Sequence, residues 1–185
     1  MRWLNEPRTW AQDGNTLALT TEHGTDFWRQ THYGFVHDNG HALLHPATGD
    51  FTATVAFDAD YRELYDQAGL LLLANETNWL KCGVELTSGH RNIAVVLTRD
   101  FSDWSVLELS ERHVGPVTIR ITRLGTTLMV DYSLDGIRFT MVRLGYLPMD
   151  DAVEVGPMAC APTGQGFETR FTGYWIEAPA RHDDQ

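Results

Sequence analysis

Two successive segments, residues 65–73 (YDQAGLLLL) and 78–86 (NWLKCGVEL), restrict the fold of this chain more than any other part of its sequence. Both are short and apolar, and neither has helical spacing, so both predict β-strands. Side chains two positions apart on a strand point to the same face of a sheet. In the second segment one face is apolar and predicts a core: Leu80, Cys82, Val84 and Leu86. The other face predicts a recognition surface, with an aromatic ring, a cation, a gap and an anion: Trp79, Lys81, Gly83 and Glu85.

Alternation of apolar and polar residues continues along most of the chain, as in residues 51–57 (FTATVAF). Further strands are predicted at residues 16–21, 68–74, 78–87, 92–99, 104–109, 117–123, 126–133, 137–144, 152–159 and 167–177. The pair Asp135-Gly136 predicts a hairpin, because glycine adopts positive φ at little cost.

About a dozen short strands at hairpin spacing, with no helix long enough for a crossover, predict an all-β fold. We therefore expect an antiparallel sandwich of two sheets. No repeat of fixed period divides the sequence, which predicts one domain over residues 1–179. Residues 180–185 (ARHDDQ) are expected to form a disordered tail.

The charge of the chain excludes some classes of partner. With 14 basic and 25 acidic residues, its formal net charge is −11. Phosphate backbones and anionic lipids repel such a protein, so neither nucleic acid nor a membrane is an expected partner. The N-terminal residues do not read as a signal peptide, which predicts a cytoplasmic location. In that compartment Cys82 and Cys160 are expected to be buried free thiols.

Seven segments together resemble a known family: WLNEP (3–7), TDFWR (25–29), THYGF (31–35), YDQAGL (65–70), WLKCGVE (79–85), SDWS (102–105) and VGPMAC (155–160). The chain resembles the YesU-like proteins, a concanavalin A-like family of unknown function whose label refers to regulation of enolase. The resemblance extends from residue 3 to residue 177. It implies a jelly-roll sandwich of the lectin and glucanase type, with a concave sheet that binds carbohydrate in many relatives. It does not imply an activity.

Aromatic and polar side chains could form a ligand site on that sheet. Aromatic rings stack on the apolar faces of sugars, and the stacking candidates are Trp28, Tyr33, Trp79 and Trp104. Polar groups that could bind hydroxyls and orient the ligand are Asp26, His32, Gln67, Lys81 and Glu85. The alternative is that the tryptophans are core residues, because tryptophan is highly buried on average. We predict that the site binds a carbohydrate or a similar polyhydroxylated ligand without catalysis.

Lys81 is the single lysine in the chain. Its ammonium group could extend to solvent, or it could pair with Glu85, Asp66 or Asp103. An enclosed ammonium group needs a partner, because an isolated buried charge is unfavourable. If Lys81 binds the ligand, Lys81→Ala is expected to abolish binding and to leave folding intact.

Two enzymatic alternatives would use the same groove. Sandwich glycanases commonly carry Glu-x-Asp-x-Glu on one strand, and this chain has no such run, so glycoside hydrolysis is disfavoured. A polysaccharide lyase needs a group that neutralises a uronate and a base near its α-proton. The candidates for those roles are His32, Tyr33, Gln67, Lys81 and Arg99.

Other classes of site have less support in the sequence. The eight histidines do not show a zinc spacing, and no calcium-binding loop is present. We therefore predict no catalytic residue, no metal and no cofactor. A homodimer and a protein partner stay open. A protein-interaction module would present its aromatic residues on a flat patch, whereas a ligand-binding domain would form a walled groove.

Overall fold

The computed structural model describes residues 1–110 and 113–179. In these two ranges the chain forms sixteen strands and no helix. The strands are β1 Arg2–Leu4, β2 Thr9–Asp13, β3 Thr16–Thr20, β4 Phe27–Arg29, β5 Val36–Asp38, β6 His41–Thr48, β7 Phe51–Ala59, β8 Gln67–Asn75, β9 Asn78–Thr87, β10 His90–Arg99, β11 Phe101–Glu108, β12 Val117–Leu124, β13 Thr127–Ser133, β14 Thr140–Tyr146, β15 Ala152–Cys160 and β16 Glu168–Glu177. The predicted tail, residues 180–185, lies outside the described residues.

The strands form two large sheets and one small hairpin. The first sheet has the order β1-β6-β15-β8-β9-β10-β11, and the second has the order β14-β13-β12-β7-β16-β3-β2. Strands β4 and β5 pair with each other alone. Every pair of named strands is antiparallel. The predicted all-β, two-sheet antiparallel jelly-roll sandwich is confirmed. Within the described ranges, no helix has the length and hydrophobicity needed to cross a bilayer.

The main core lies between the two sheets. In β9, Leu80, Cys82 and Val84 point into this core, as the alternation predicts. Phe57 and Ile119, from the second sheet, pack in the same core. The prediction of two free, buried thiols is also confirmed: Cys82 lies in this core, and Cys160 lies in a smaller cluster on the outer face of the first sheet.

That smaller cluster shows that part of the outer face is covered. The hairpin formed by β4 and β5 places Phe27 and Trp28 over the sheet, where they pack with Leu71, Trp79 and other buried apolar residues. Trp79 is therefore 4% exposed, although it points away from the main core. The outer face of the first sheet is apolar beneath the hairpin and polar beside it.

The strand predictions hold for eleven strands and miss five, namely β1, β2, β4, β5 and β6, of which β6 has eight residues. The predicted hairpin at Asp135-Gly136 also forms, since β13 pairs with β14. However, β14 begins at Thr140, three residues later than predicted. The Asp135 carboxylate accepts hydrogen bonds from the backbone N–H groups of Ile137 and Arg138, at 2.9 and 2.8 Å. These bonds keep both residues in the turn.

Candidate functional site

A cavity of about 330 Å³ opens on the outer face of the first sheet, beside the β4–β5 hairpin. Its volume lies at the lower end of the roughly 300–1,000 Å³ that small-molecule sites occupy. Strands β8, β9 and β10 supply four floor residues: Gln67, Lys81, Glu85 and Val96. Five aromatic side chains form most of the wall: Trp28, Tyr33, Phe35, Tyr65 and Trp104.

The strand register brings the polar floor residues together. Gln67 on β8 lies directly opposite Glu85 on β9, and Lys81 lies four positions before Glu85 on the same strand. Residues at these spacings share one face of the sheet. All three side chains are buried. The floor of the cavity therefore presents an amide, an ammonium group and a carboxyl group on one face of the sheet.

Between Lys81 and Glu85, the backbones of β8 and β9 approach each other closely at a pair of glycines. Gly83 lies opposite Gly69 in the β8–β9 ladder. A Cβ atom at Gly83 would lie 2.0 Å from the carbonyl oxygen of Ala68, a separation that no real side chain tolerates. The close approach of the two backbones thus requires glycine.

Asp26 connects this floor to the covering hairpin. Its Oδ1 accepts a 2.8 Å hydrogen bond from Lys81 Nζ and a 3.3 Å hydrogen bond from Gln67 Nε2. The backbone of Asp26 is fixed by the other arm of the hairpin: its N–H donates to Asn39 Oδ1 at 3.0 Å, and its carbonyl accepts from the N–H of Gly40 at 3.0 Å. The carboxylate is therefore held over the sheet by local backbone contacts.

Lys81 is paired with a residue that the sequence analysis did not assign to it. The predicted partners included Asp66 and Asp103. The Asp66 carboxylate instead accepts hydrogen bonds from backbone N–H groups of its own loop, and the Asp103 carboxylate forms an ion pair with Arg143 at 2.7 Å. The partner is Asp26. Burial lowers the pKa of Lys81, but Asp26 and other nearby acidic groups outweigh that effect, so the pKa lies above its ordinary value. Lys81 is a charged, satisfied residue in the cavity floor.

Glu85 differs from Lys81 in that its charge changes near neutral pH. The residue is 5% exposed. Burial is the main cause that raises the pKa of Glu85 to about 7, and the charge of Asp26 adds to this increase. The charge of Lys81 and a hydrogen bond with Trp104 lower the pKa, but they do not cancel the effect of burial. Near neutral pH the cavity therefore contains a carboxyl group that can either donate or accept a hydrogen bond.

The aromatic wall is continuous from the hairpin to β11. Trp28 meets Tyr33 edge to face at 5.7 Å between ring centroids. The hydroxyl groups of Tyr33 and Tyr65 lie 3.5 Å apart, and Tyr65 faces Trp104 at 6.4 Å. The hydrogen bond to Tyr33 and then burial raise the pKa of Tyr65 to about 12. Tyr33 and Trp104 remain 48% and 37% exposed, so their rings form the rim of the cavity.

One wall residue and one loop residue beside the wall have an uncommon backbone conformation. His32 and Tyr65 have φ values of 65° and 69°, in the left-handed region that residues other than glycine rarely adopt. The loop around His32 is closed by two hydrogen bonds, from Gln30 N to Phe35 O at 2.8 Å and from Gly34 N to Gln30 O at 2.7 Å. Such strain clusters at functional sites, where the surrounding structure maintains it.

The sequence of this chain matches a known family along almost its whole length. Residues 3–179 match the family described as "Protein of unknown function (DUF1349)". This chain belongs to the DUF1349 family. Over 184 residues it is 38% identical to Regulation of enolase protein 1 of Saccharomyces cerevisiae, covering 98% of this chain and 92% of that protein. The resemblance that the sequence segments indicated is confirmed.

Two solved structures share this fold. A functionally unknown protein from Saccharomyces cerevisiae superposes with a TM-score of 0.92 at 37% identity, and the match covers 97% of each chain. The carbohydrate-binding module CBM66 from Bacillus subtilis superposes with a TM-score of 0.61 at 11% identity, covering 95% of each chain. At that identity, the second likeness shows a shared fold alone.

Most of the predicted site residues of this DUF1349 chain meet at the cavity: Asp26, Trp28, Tyr33, Gln67, Lys81, Glu85 and Trp104. His32 lies in an adjoining groove that shares part of the same wall. Trp79 does not reach the cavity. It packs edge to face on Phe27 at 6.2 Å, because the hairpin covers its part of the sheet. A stacking role for Trp79 is therefore inconsistent with its position.

Sequence reasoning missed two of the aromatic wall residues, Phe35 and Tyr65. Both occur within segments that carry the DUF1349 resemblance, residues 31–35 and 65–70, so a signal for them was present. Among the described residues, no three His, Cys, Asp or Glu side chains are grouped as a metal site.

Proposed function

We propose that the cavity binds a neutral carbohydrate, or a similar polyhydroxylated ligand, without catalysing a reaction. The observation that carries this proposal is the combination of a buried polar floor with an aromatic wall in one cavity. Aromatic rings offer flat apolar surfaces for the C–H faces of a sugar, and fixed carboxylate and amide groups bind its hydroxyls. The fold shared with CBM66 is consistent with this function.

The charges in the floor favour a neutral ligand over a uronate. Lys81 is the one lysine or arginine among the described residues that line the cavity. Its ammonium group is bound to Asp26, and Glu85 lies nearby. A ligand carboxylate would therefore meet two protein carboxyl groups without a free lysine or arginine to neutralise it. This arrangement also weakens the lyase alternative.

A thermal-shift screen against neutral and uronate-containing oligosaccharides tests the proposal. A ligand at about 100 times its Kd adds roughly 2.7 kcal/mol to the free energy of unfolding, which raises the Tm of a domain this size by about 5–10 °C. We expect neutral sugars to give the shift and Trp104→Ala to abolish it. The matched control is Trp175→Ala, which removes an exposed tryptophan from β16 in the second sheet. Absence of any shift, or a shift that survives in Trp104→Ala, would contradict the proposal.

One observation favours a second candidate, an enzyme that processes glycosides in the same cavity. Glu85 has a pKa of about 7, which suits a general acid, and it faces Asp26, the second carboxyl group. An assay for reducing ends or unsaturated products in the same wells distinguishes the two candidates. Product formed by the wild type and absent with Glu85→Gln would establish the enzyme, whereas binding without product would leave the binding module.

A further inference from the structure

A groove adjoins the cavity on the far side of its rim. Its lining includes three residues that also line the cavity, Trp28, Tyr33 and Trp104. The loop between β4 and β5 adds Thr31 and His32 to the groove. The same aromatic rings therefore border two adjoining depressions.

The size of the cavity limits what it can hold. At about 330 Å³ it lies at the lower end of the range for ligand sites, which is enough for one sugar unit with its hydroxyls. A longer carbohydrate must place its remaining units outside the cavity. The exposed rings of Tyr33 and Trp104 lie at the place where the cavity meets the groove, so the groove offers the next stacking surface.

His32 supplies the polar group of this second surface. It is exposed, and it makes no hydrogen bond or ion pair with another described residue. Its ring is held edge to face against Tyr33 at 4.8 Å, and its backbone is fixed in the left-handed region by the closed loop. The imidazole is thus available for a ligand hydroxyl and is already oriented. Asp103 also borders the groove, but its carboxylate is bound to Arg143 of β14.

We propose that the groove is a second subsite, so that the protein recognises at least two linked sugar units. One unit occupies the cavity, and the next stacks on the rim formed by Tyr33 and Trp104 and receives a hydrogen bond from, or donates one to, His32. This inference rests on the proposed function, because the first unit must bind in the cavity. It adds the class of ligand, an oligosaccharide rather than a free monosaccharide.

Calorimetric titration with matched pairs of sugars tests the second subsite. The probes are xylose with xylobiose, and glucose with cellobiose. For the pair that binds, we expect the Kd of the disaccharide to be at least tenfold lower than the Kd of the monosaccharide. His32→Asn is expected to reduce that ratio at least threefold and to leave the monosaccharide Kd unchanged. Asparagine tolerates positive φ, so this variant should preserve the loop.

The outcomes separate this inference from the proposed function. If monosaccharide and disaccharide bind equally, or if His32→Asn weakens both by the same factor, the second subsite is wrong and the cavity function stands. If neither sugar of either pair binds, the proposed function fails, and the second subsite fails with it.

Discussion

Lys81 Nζ donates a hydrogen bond of 2.8 Å to Asp26 Oδ1, and this buried ion pair joins the floor of the cavity to the hairpin that covers it. The side chains of the two residues are only 5% and 16% exposed. Burying such a pair brings little net stability, but removing one partner leaves a buried charge uncompensated. The pair therefore couples the shape of the site to the stability of the fold.

Lys81→Met should destabilise the protein by about 3–5 kcal/mol, because Asp26 loses its partner. For a domain of this size, that loss lowers the Tm by on the order of 10 °C. This expectation replaces the sequence-based one, in which Lys81→Ala leaves folding intact. The double variant Lys81→Met/Asp26→Asn carries neither charge and should recover at least half of the lost stability. A Tm within about 2 °C of wild type for Lys81→Met would show that the pair does not couple the two parts.

Stability should depend on pH through Glu85. Its pKa is raised from 4.5 to about 7 in the folded protein, so folding favours the protonated form. The resulting stabilisation is complete below pH 4.5 and is lost as the pH rises through about 7. The loss amounts to about 3 kcal/mol. Urea unfolding at several pH values should therefore show Glu85→Gln gaining stability relative to wild type as the pH rises. If the free energies of unfolding of the two proteins changed in parallel with pH, Glu85 would not be a buried group that titrates near pH 7.

The affinity for a neutral sugar should also depend on the protonation of Glu85, but it should rise with pH whereas the stability falls. Hydroxyls donate stronger hydrogen bonds to an ionised carboxylate than to a neutral carboxyl group. A sugar bound to Glu85 should therefore bind more tightly as the pH rises through about 7, and its binding should release protons. Calorimetry in two buffers of different ionisation enthalpy measures both effects. An affinity that is independent of pH in the wild type would remove Glu85 from the ligand contacts.

Gly83→Ala should be strongly destabilising, because its Cβ would lie 2.0 Å from the backbone oxygen of Ala68. Overpacking of this kind costs about 1–3 kcal/mol or more. Gly145→Ala, in β14, is a matched control, since its Cβ would meet only the end of the Leu97 side chain, at 3.0 Å. Equal free energies of unfolding for the two variants would show that the β8 and β9 backbones can separate there.

The sequence predicts most of the long strands, though not β6, because alternation is a local property. It fails where one element covers another. The sequence pattern predicts an open recognition face for Trp79, whereas the β4–β5 hairpin buries this residue. The four consecutive leucines at residues 70–73 already indicate this cover, since a strand that is apolar on both faces is buried on both faces. Leu71 and Leu73 lie opposite Lys81 and Trp79 in the ladder.

The partner of Lys81 also lay beyond sequence reasoning. Asp26 is 55 residues away, and it reaches Lys81 through the hairpin that folds back over the sheet. Strands of three residues, such as β4 and β5, are too short for periodicity to detect. Tyr65 was missed for a related reason, because it belongs to a loop and adopts positive φ. The polar floor was predictable, whereas the cover and part of the wall were not.

The central claim, that a sugar binds in this cavity, is tested most directly by the six indole N–H signals in a ¹⁵N NMR titration. Trp28 and Trp104 line the cavity, whereas Trp79 packs beneath the hairpin, and the remaining indoles belong to Trp3, Trp10 and Trp175. Saturating addition of the sugar that gives the largest thermal shift should move the signals of Trp28 and Trp104 and leave those of Trp10 and Trp175 in place. Signals of Trp10 or Trp175 that shift while those of Trp28 and Trp104 stay fixed would place the ligand elsewhere and contradict the account.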